Sequence, residues 1–97
     1  VPQVVYSRRA LDDLERLFRF LAEEDPAAAT AAAAAIRSGA DVLANHPLVG
    51  RRVAGDLHEL VISFGRSGYV ALYRFVPHQA QARILGVRHQ RELYYPL

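Results

Sequence analysis

The residues able to do chemistry crowd into the second half of this chain. Glu59, Arg74, Arg88, His89, Arg91, Tyr94 and Tyr95 lie on or just past three short apolar segments, and Arg51 and Arg52 come directly before them. An arginine, an acid, a histidine and a tyrosine around one groove suit metal-free RNA cleavage. One group would take the proton of a 2′-hydroxyl, a guanidinium would stabilise the five-coordinate phosphate, and another would protonate the leaving oxygen. The same residues also read as plain structure, with Glu59 and Arg74 paired across neighbouring strands and the tail in water. Arg51 and Arg52 follow Pro47 and Gly50 in a loop, as a solvated pair or as a bidentate clamp on phosphate or carboxylate.

Other chemistries are excluded more firmly. The chain has no cysteine, so it forms neither a disulfide nor a thiolate metal site. His46, His58, His78 and His89 show no ligand spacing, and no acidic cluster joins them, so no metal and no cofactor are expected. No phosphate-loop or dinucleotide glycine pattern occurs, and no nucleophile elbow. No apolar run approaches the roughly 20 residues that span a bilayer. The first residues lack the tripartite pattern of a secretory signal, so a cytoplasmic location without membrane contact is expected.

All twelve basic residues are arginine, which a GC-rich genome would produce unaided. Their distribution says more. Residues 1–48 hold five arginines against seven acids, and residues 49–97 hold seven against three. The strand-rich half is therefore the cationic pole, and it favours an anionic partner, either nucleic acid or an acidic protein segment.

The elements that must position these groups can be read from spacing. Residues 1–97 suffice for one domain with one core. Val4-Val5-Tyr6 is a short strand ended by Ser7, a helix N-cap. Ala10, Leu11, Leu14, Leu17, Phe18, Leu21 and Ala22 then share one helical face, with Asp12, Asp13, Glu15, Arg16, Arg19 and Glu23 on the rest. Phe20 flanks that stripe, at the edge of the core or under a partner. Asp25-Pro26 restarts the chain as a second helix over 27–44, whose alanine-rich face permits a tight helix hairpin. Leu60, Ile62 and Phe64 alternate as a strand. Residues 69–76 are apolar on both faces except Arg74, as in a central strand, and 82–88 forms the last strand. The expected fold is α+β, in the order β-α-α-β-β-β, with the helix hairpin on one face of an antiparallel sheet.

Taken together, these segments resemble the RelE/ParE superfamily of toxins from bacterial type II toxin–antitoxin modules over almost the whole chain. The resemblance is carried by Pro47-Leu48-Val49-Gly50-Arg51, His58-Glu59-Leu60, Tyr69-Val70-Ala71-Leu72-Tyr73-Arg74 and Ile84-Leu85-Gly86-Val87-Arg88-His89-Gln90-Arg91-Glu92. It implies one of two activities on one fold. RelE-like members cleave messenger RNA on the ribosome, which here would engage Glu59, Arg74, His89, Arg91 and Tyr94. ParE-like members inhibit DNA gyrase, and the His89-Gln90-Arg91-Glu92 ending resembles that branch more closely. A cognate antitoxin is implied in both. An acidic amphipathic segment along the helix hairpin and on toward the cationic strands would meet Phe20, Arg51, Arg52, Arg74, Arg88 and Tyr95. A third reading is a non-toxic RNA-binding domain that stacks bases on exposed aromatics of the open sheet face.

Overall fold

The computed structural model describes residues 1–95. The Ser7 hydroxyl accepts the Ala10 amide at 3.0 Å and starts helix α1, Arg8–Ala22. Asp25 does the same for the Ala28 amide at 3.0 Å, and Pro26 opens helix α2, Pro26–Asp41. A tight helical turn, Val42–Ala44, finishes the second helical run before Pro47. Helix α1 packs against α2, and both lie on one sheet.

The sheet has five strands: β1 (Gln3–Tyr6), β2 (Arg51–Ala54), β3 (Leu57–Phe64), β4 (Ser67–Val76) and β5 (Gln81–His89). Their spatial order is β1-β5-β4-β3-β2. It departs from the sequence-based expectation in two ways. The sheet is mixed, because β1 runs parallel to β5, while the other pairs are antiparallel. Residues 51–54, read as loop, form an extra edge strand paired with β3. All four are exposed, so no apolar alternation could reveal it. The hairpin to β3, and not burial, holds it in place.

The core lies between the helices and one sheet face. Ile62, Tyr69, Ala71, Tyr73, Ile84 and Val87 from the strands meet Ala10, Leu17, Ala32, Ile36, Ala40 and Leu43. Residues two apart share a face, so Glu59, Val61, Val70 and Arg74 point to the opposite, uncovered side. A bulge matters here. Leu72 pairs with Gly86, but Tyr73 pairs with Ile84, which leaves Leu85 as the extra residue in β5. Arg83 and Arg88, five apart, would face opposite sides of an unbroken strand. The bulge brings both to the open face.

Strand β1 pairs only as far as Tyr6 with Ile84, so the rest of β5 has a free edge. Side chains on and beside α1 finish it. The Ser7 hydroxyl donates to the Leu85 carbonyl at 3.3 Å, and the Asp13 carboxylate accepts the Val87 amide at 2.9 Å. Glu92 accepts the His89 amide at 2.8 Å and is held by Arg16 at 3.0 Å. Asp13 is only 5% exposed. The polar helix face expected from sequence therefore loses one member to the interior.

Candidate functional site

The open sheet face carries a compact ionic cluster around Glu59. Its carboxylate accepts from Arg51 at 3.2 Å through one oxygen and from the Tyr95 hydroxyl at 2.8 Å through the other. The Arg88 guanidinium lies 3.7 Å from that second oxygen and 5.3 Å from the centroid of the Tyr95 ring. Local sequence explains how each arrives. Glu59 is opposite Arg51 in the β2–β3 register, and the β5 bulge turns Arg88 to the same side. Tyr95 comes from the tail, which folds back over β5. A Cβ at Gly86 would stand 3.2 Å from the Tyr95 ring, so glycine is what lets the phenol lie against the strand.

The cluster is unevenly bound. The Glu59 and Arg88 side chains are 14% and 16% exposed, whereas Arg51 is 78% exposed. A water-screened pair such as Arg51–Glu59 contributes about 0–1 kcal/mol. Arg88 is tied more firmly, with one terminal nitrogen on the Glu92 carbonyl at 2.6 Å. Its Nε is buried and has no hydrogen-bond partner among the described residues. Beside the cluster opens a cleft of about 400 Å³, lined by Val49, Arg51, Glu59, Val61, Val70 and Arg88 among others. The cluster holds two guanidinium groups and one carboxylate, so the pole is cationic.

The other residues singled out from sequence lie elsewhere. Arg74 is on the open face but sits 3.0 Å from Asp56 of the β2–β3 turn, not from Glu59, and its Nε–H is not aligned for a hydrogen bond. Across the next strand it is opposite Arg83, a like charge. His89 is on the helix side, edge-on to Tyr69 at 5.4 Å. Its Nδ1 accepts the Arg91 amide at 3.1 Å, which leaves Nε2 to donate to the Ser67 hydroxyl at 2.8 Å. That tautomer cannot activate Ser67. Arg91 and Tyr94 are exposed in the tail. Arg52 turns back to the Gly55 carbonyl at 2.6 Å, and Phe20 stands 78% exposed on α1. The structure thus gathers Arg51, Glu59, Arg88 and Tyr95, and leaves Phe20, Arg52, Arg74, His89, Arg91 and Tyr94 outside that cluster.

Sequence reasoning missed Asp13, Arg16 and Glu92, which set the β5 edge and the path of the tail. A signal existed for Asp13: it lies three residues after Ala10 and four before Leu17, on the buried helical stripe. It missed Leu11 and Phe18 in another sense. Both were assigned to the core face, yet they remain largely exposed at the mouth of an apolar groove of about 230 Å³ between α1 and α2. The stripe is wider than the core it serves. Tyr6, Leu14, Leu21, Ala33 and Ile36 line the same groove.

Four phenols are held in their neutral form. Burial raises the Tyr69 pKa; it also raises that of Tyr73, whose hydroxyl the Gly50 amide partly offsets by donating to it at 2.9 Å. Tyr6 is raised by burial and by Asp41, against Arg37. Tyr95 is raised furthest, by burial first and then by its bond to Glu59, with Arg88 opposing. Near neutral pH Tyr95 therefore keeps its proton and donates it to Glu59. Among the described residues no group of three or more His, Cys, Asp or Glu side chains gathers as a metal site, and no helix is long and apolar enough to cross a membrane.

A helix hairpin packed on one face of a mixed five-stranded sheet is the architecture of RelE/ParE-type toxin folds. A sequence model described as "ParE toxin of type II toxin-antitoxin system, parDE" matches residues 4–94. The chain belongs to that family. It is 42% identical over 84 residues to Toxin RelE3 of Caulobacter vibrioides, covering 87% of this chain and 89% of that protein. Toxin RelE1 of the same organism is 38% identical over 73 residues, covering 75% and 78%. Among solved structures, the chromosomal ParDE system of P. aeruginosa superposes with a TM-score of 0.76 at 18% identity, covering 91% of this chain and 95% of that one. The E. coli RelBE toxin–antitoxin complex gives 0.62 at 15% identity, covering 95% and 100%. At such identities these two structures establish the fold alone. Its two helices on a mixed five-stranded sheet are those described above.

Proposed function

We propose that this toxin-family chain arrests growth by binding DNA gyrase, without cleaving a substrate, and that a cognate antitoxin neutralises it. The observation that supports the non-cleaving reading is the separation of the would-be cleavage groups. An RNA-cleaving site built from sequence needed Glu59, Arg74 and Tyr94 or His89 around one point. In this structure Arg74 is engaged with Asp56, His89 is on the helix side, and Tyr94 is in solvent. Glu59, the remaining base, is occupied by Arg51, Tyr95 and Arg88.

The antitoxin half rests on two surfaces. The α1–α2 groove, rimmed by Leu11 and Phe18, has the apolar lining that the buried face of a partner helix would need. The cationic open face lies on the far side of the sheet, within reach of an acidic extension of that segment. Solved relatives of this fold include toxin–antitoxin complexes, which supports a protein partner of this kind.

A second reading has one specific observation in its favour. Glu59, Arg88 and Tyr95 converge, and an acid, an arginine and a tyrosine are the residue types that metal-free RNA cleavage employs. In that reading Glu59 would take the 2′-hydroxyl proton, Arg88 would hold the phosphate and Tyr95 would protonate the leaving oxygen. Inducing the toxin without its antitoxin tests both. Gyrase inhibition predicts a DNA-damage response, loss of supercoiling and intact messenger RNA. New 5′ ends in cellular RNA, abolished by Glu59→Gln, would replace the gyrase reading with the nuclease one.

A further inference from the structure

The floor of the α1–α2 groove holds a polar atom that nothing in the fold answers. Tyr6 packs from β1 against the core, and its hydroxyl is buried with no hydrogen-bond partner among the described residues. A buried hydroxyl ordinarily finds one, because leaving it unmatched costs free energy. Two charged side chains of α2 stand near enough to act on it. Asp41 raises its pKa and Arg37 lowers it, and Asp41 acts more strongly. Both are exposed, and neither makes a hydrogen bond or salt bridge among the described residues. The groove is also graded along its length. Tyr6, Leu11 and Arg37 line the end where α1 starts, whereas Leu21 and Ala29 line the end beside the turn between the helices. The helical rise of about 1.5 Å per residue puts Leu21 roughly 15 Å from Leu11. Between these ends Leu14, Leu17, Ala32 and Ile36 border an apolar space of about 230 Å³.

We propose that this groove binds a neutral, single-chain acyl amide, whose carbonyl head meets Tyr6 and Arg37 and whose alkyl chain lies between the helices. Each part of that ligand has a reason. The Tyr6 hydroxyl keeps its proton, so the head must offer an acceptor, and the Arg37 guanidinium can donate to the same oxygen. Asp41 disfavours an anionic head, because a carboxylate or phosphate beside it meets a like charge, and the water-screened Arg37 offsets little of that. An amide N–H instead gives Asp41 a donor, so one uncharged head serves all three side chains. The walls of leucine, isoleucine and alanine take an alkyl chain, and the length of the groove suits one of decanoyl size. Arg37 has no contact to lose among the described residues, so it can swing aside and open the phenol to the incoming head. The site goes beyond the toxin and antitoxin reading and does not rest on it.

The test uses the purified chain without a partner and N-methyldecanamide as the probe, followed by titration calorimetry. Fluorine resonances of 3-fluorotyrosine report the site, with that of Tyr6 assigned by its loss in Tyr6→Phe. The Tyr6 resonance is expected to shift as the amide saturates, while that of Tyr94 in the tail stays. Decanoate is expected to bind about tenfold more weakly, through its charge. N-methylhexanamide is expected to bind at least about a hundredfold more weakly, since each buried methylene contributes about fourfold. Tyr6→Phe keeps the ring and removes the orphaned donor, so it should bind about tenfold more weakly with no fall in melting midpoint. Ala33→Leu fills the groove from an exposed position and should abolish binding, and it serves alone should Tyr6→Phe fail to fold. Unchanged binding in the folded variants, tighter binding of decanoate, indifference to chain length, an unmoved Tyr6 or no binding of the amide overturns the proposal. Antitoxin capture lost in Tyr6→Phe, with no amide bound by the wild type, would assign the polar end to the partner helix and equally overturn it. Growth arrest that persists through any of these results would leave the toxin reading standing.

Discussion

Replacing Asp13 by alanine should destabilise this protein far more than its place on an amphipathic helix suggests. The carboxylate is 5% exposed and accepts the Val87 amide at 2.9 Å, at the stretch of β5 that β1 does not reach. Alanine leaves that amide buried without an acceptor. Hydrogen bonds to charged groups are worth about 1.5–3 kcal/mol, and an orphaned buried donor costs a similar amount. Arg16 is 3.9 Å from Asp13 and partly solvated, so its loss adds little. The expected total is about 2–3 kcal/mol, and at about 4–8 °C per kcal/mol for a domain of this size the midpoint should fall by roughly 10–20 °C. Asparagine retains an acceptor and should lose about a third of that. Thermal melts followed by far-ultraviolet circular dichroism give the midpoints, and amide hydrogen exchange reads Val87 directly. A midpoint for Asp13→Ala within about 2 °C of wild type, with the Val87 amide still protected, would refute the reasoning.

Further outcomes follow from the same geometry. Tyr73→Phe removes the acceptor of the Gly50 amide and should cost about 1 kcal/mol in urea denaturation, since the ring packing is retained. Stability should decline above about pH 10, because the unfolded phenols ionise there while Tyr6, Tyr69, Tyr73 and Tyr95 stay protonated in the fold. The unfolded state then binds fewer protons, so rising pH favours it; in Tyr95→Phe that decline should be shallower. Phe20→Ser should leave the melting midpoint within about 2 °C, because the ring is 78% exposed, while weakening antitoxin capture if the partner covers it. Antitoxin affinity should fall with added salt if Arg51 and Arg88 contribute much of it; equal affinity at low and high ionic strength would remove the electrostatic part of the docking surface.

Much of the architecture was written in local residue order. The caps at Ser7 and Asp25, the alanine face of α2 and the alternation of Leu60, Ile62 and Phe64 each depend on neighbours a few residues apart. Physics acting over one turn or one pleat therefore sufficed to place both helices and four of the five strands. The family resemblance and the cationic second half were equally visible in the chain alone. Strand β2 was not, because its residues bury nothing, and neither was the parallel pairing of β1, because partner choice in a sheet is settled across the whole fold.

The candidate site shows the same division more sharply. The sequence by itself determined which residue types were on hand: arginines on strands, an acid at 59, tyrosines at the end. Which of them meet was decided by features that leave no periodic trace. One extra residue, Leu85, reverses the side on which Arg88 emerges, and a side-chain length of glycine at 86 lets Tyr95 lie against the strand. Asp13 and Glu92 then fix the free edge and the tail across more than seventy residues of chain. Tertiary structure chose Arg88 over Arg74 as the partner of Glu59, because register and bulge act on distance in space, to which separation along the chain is blind.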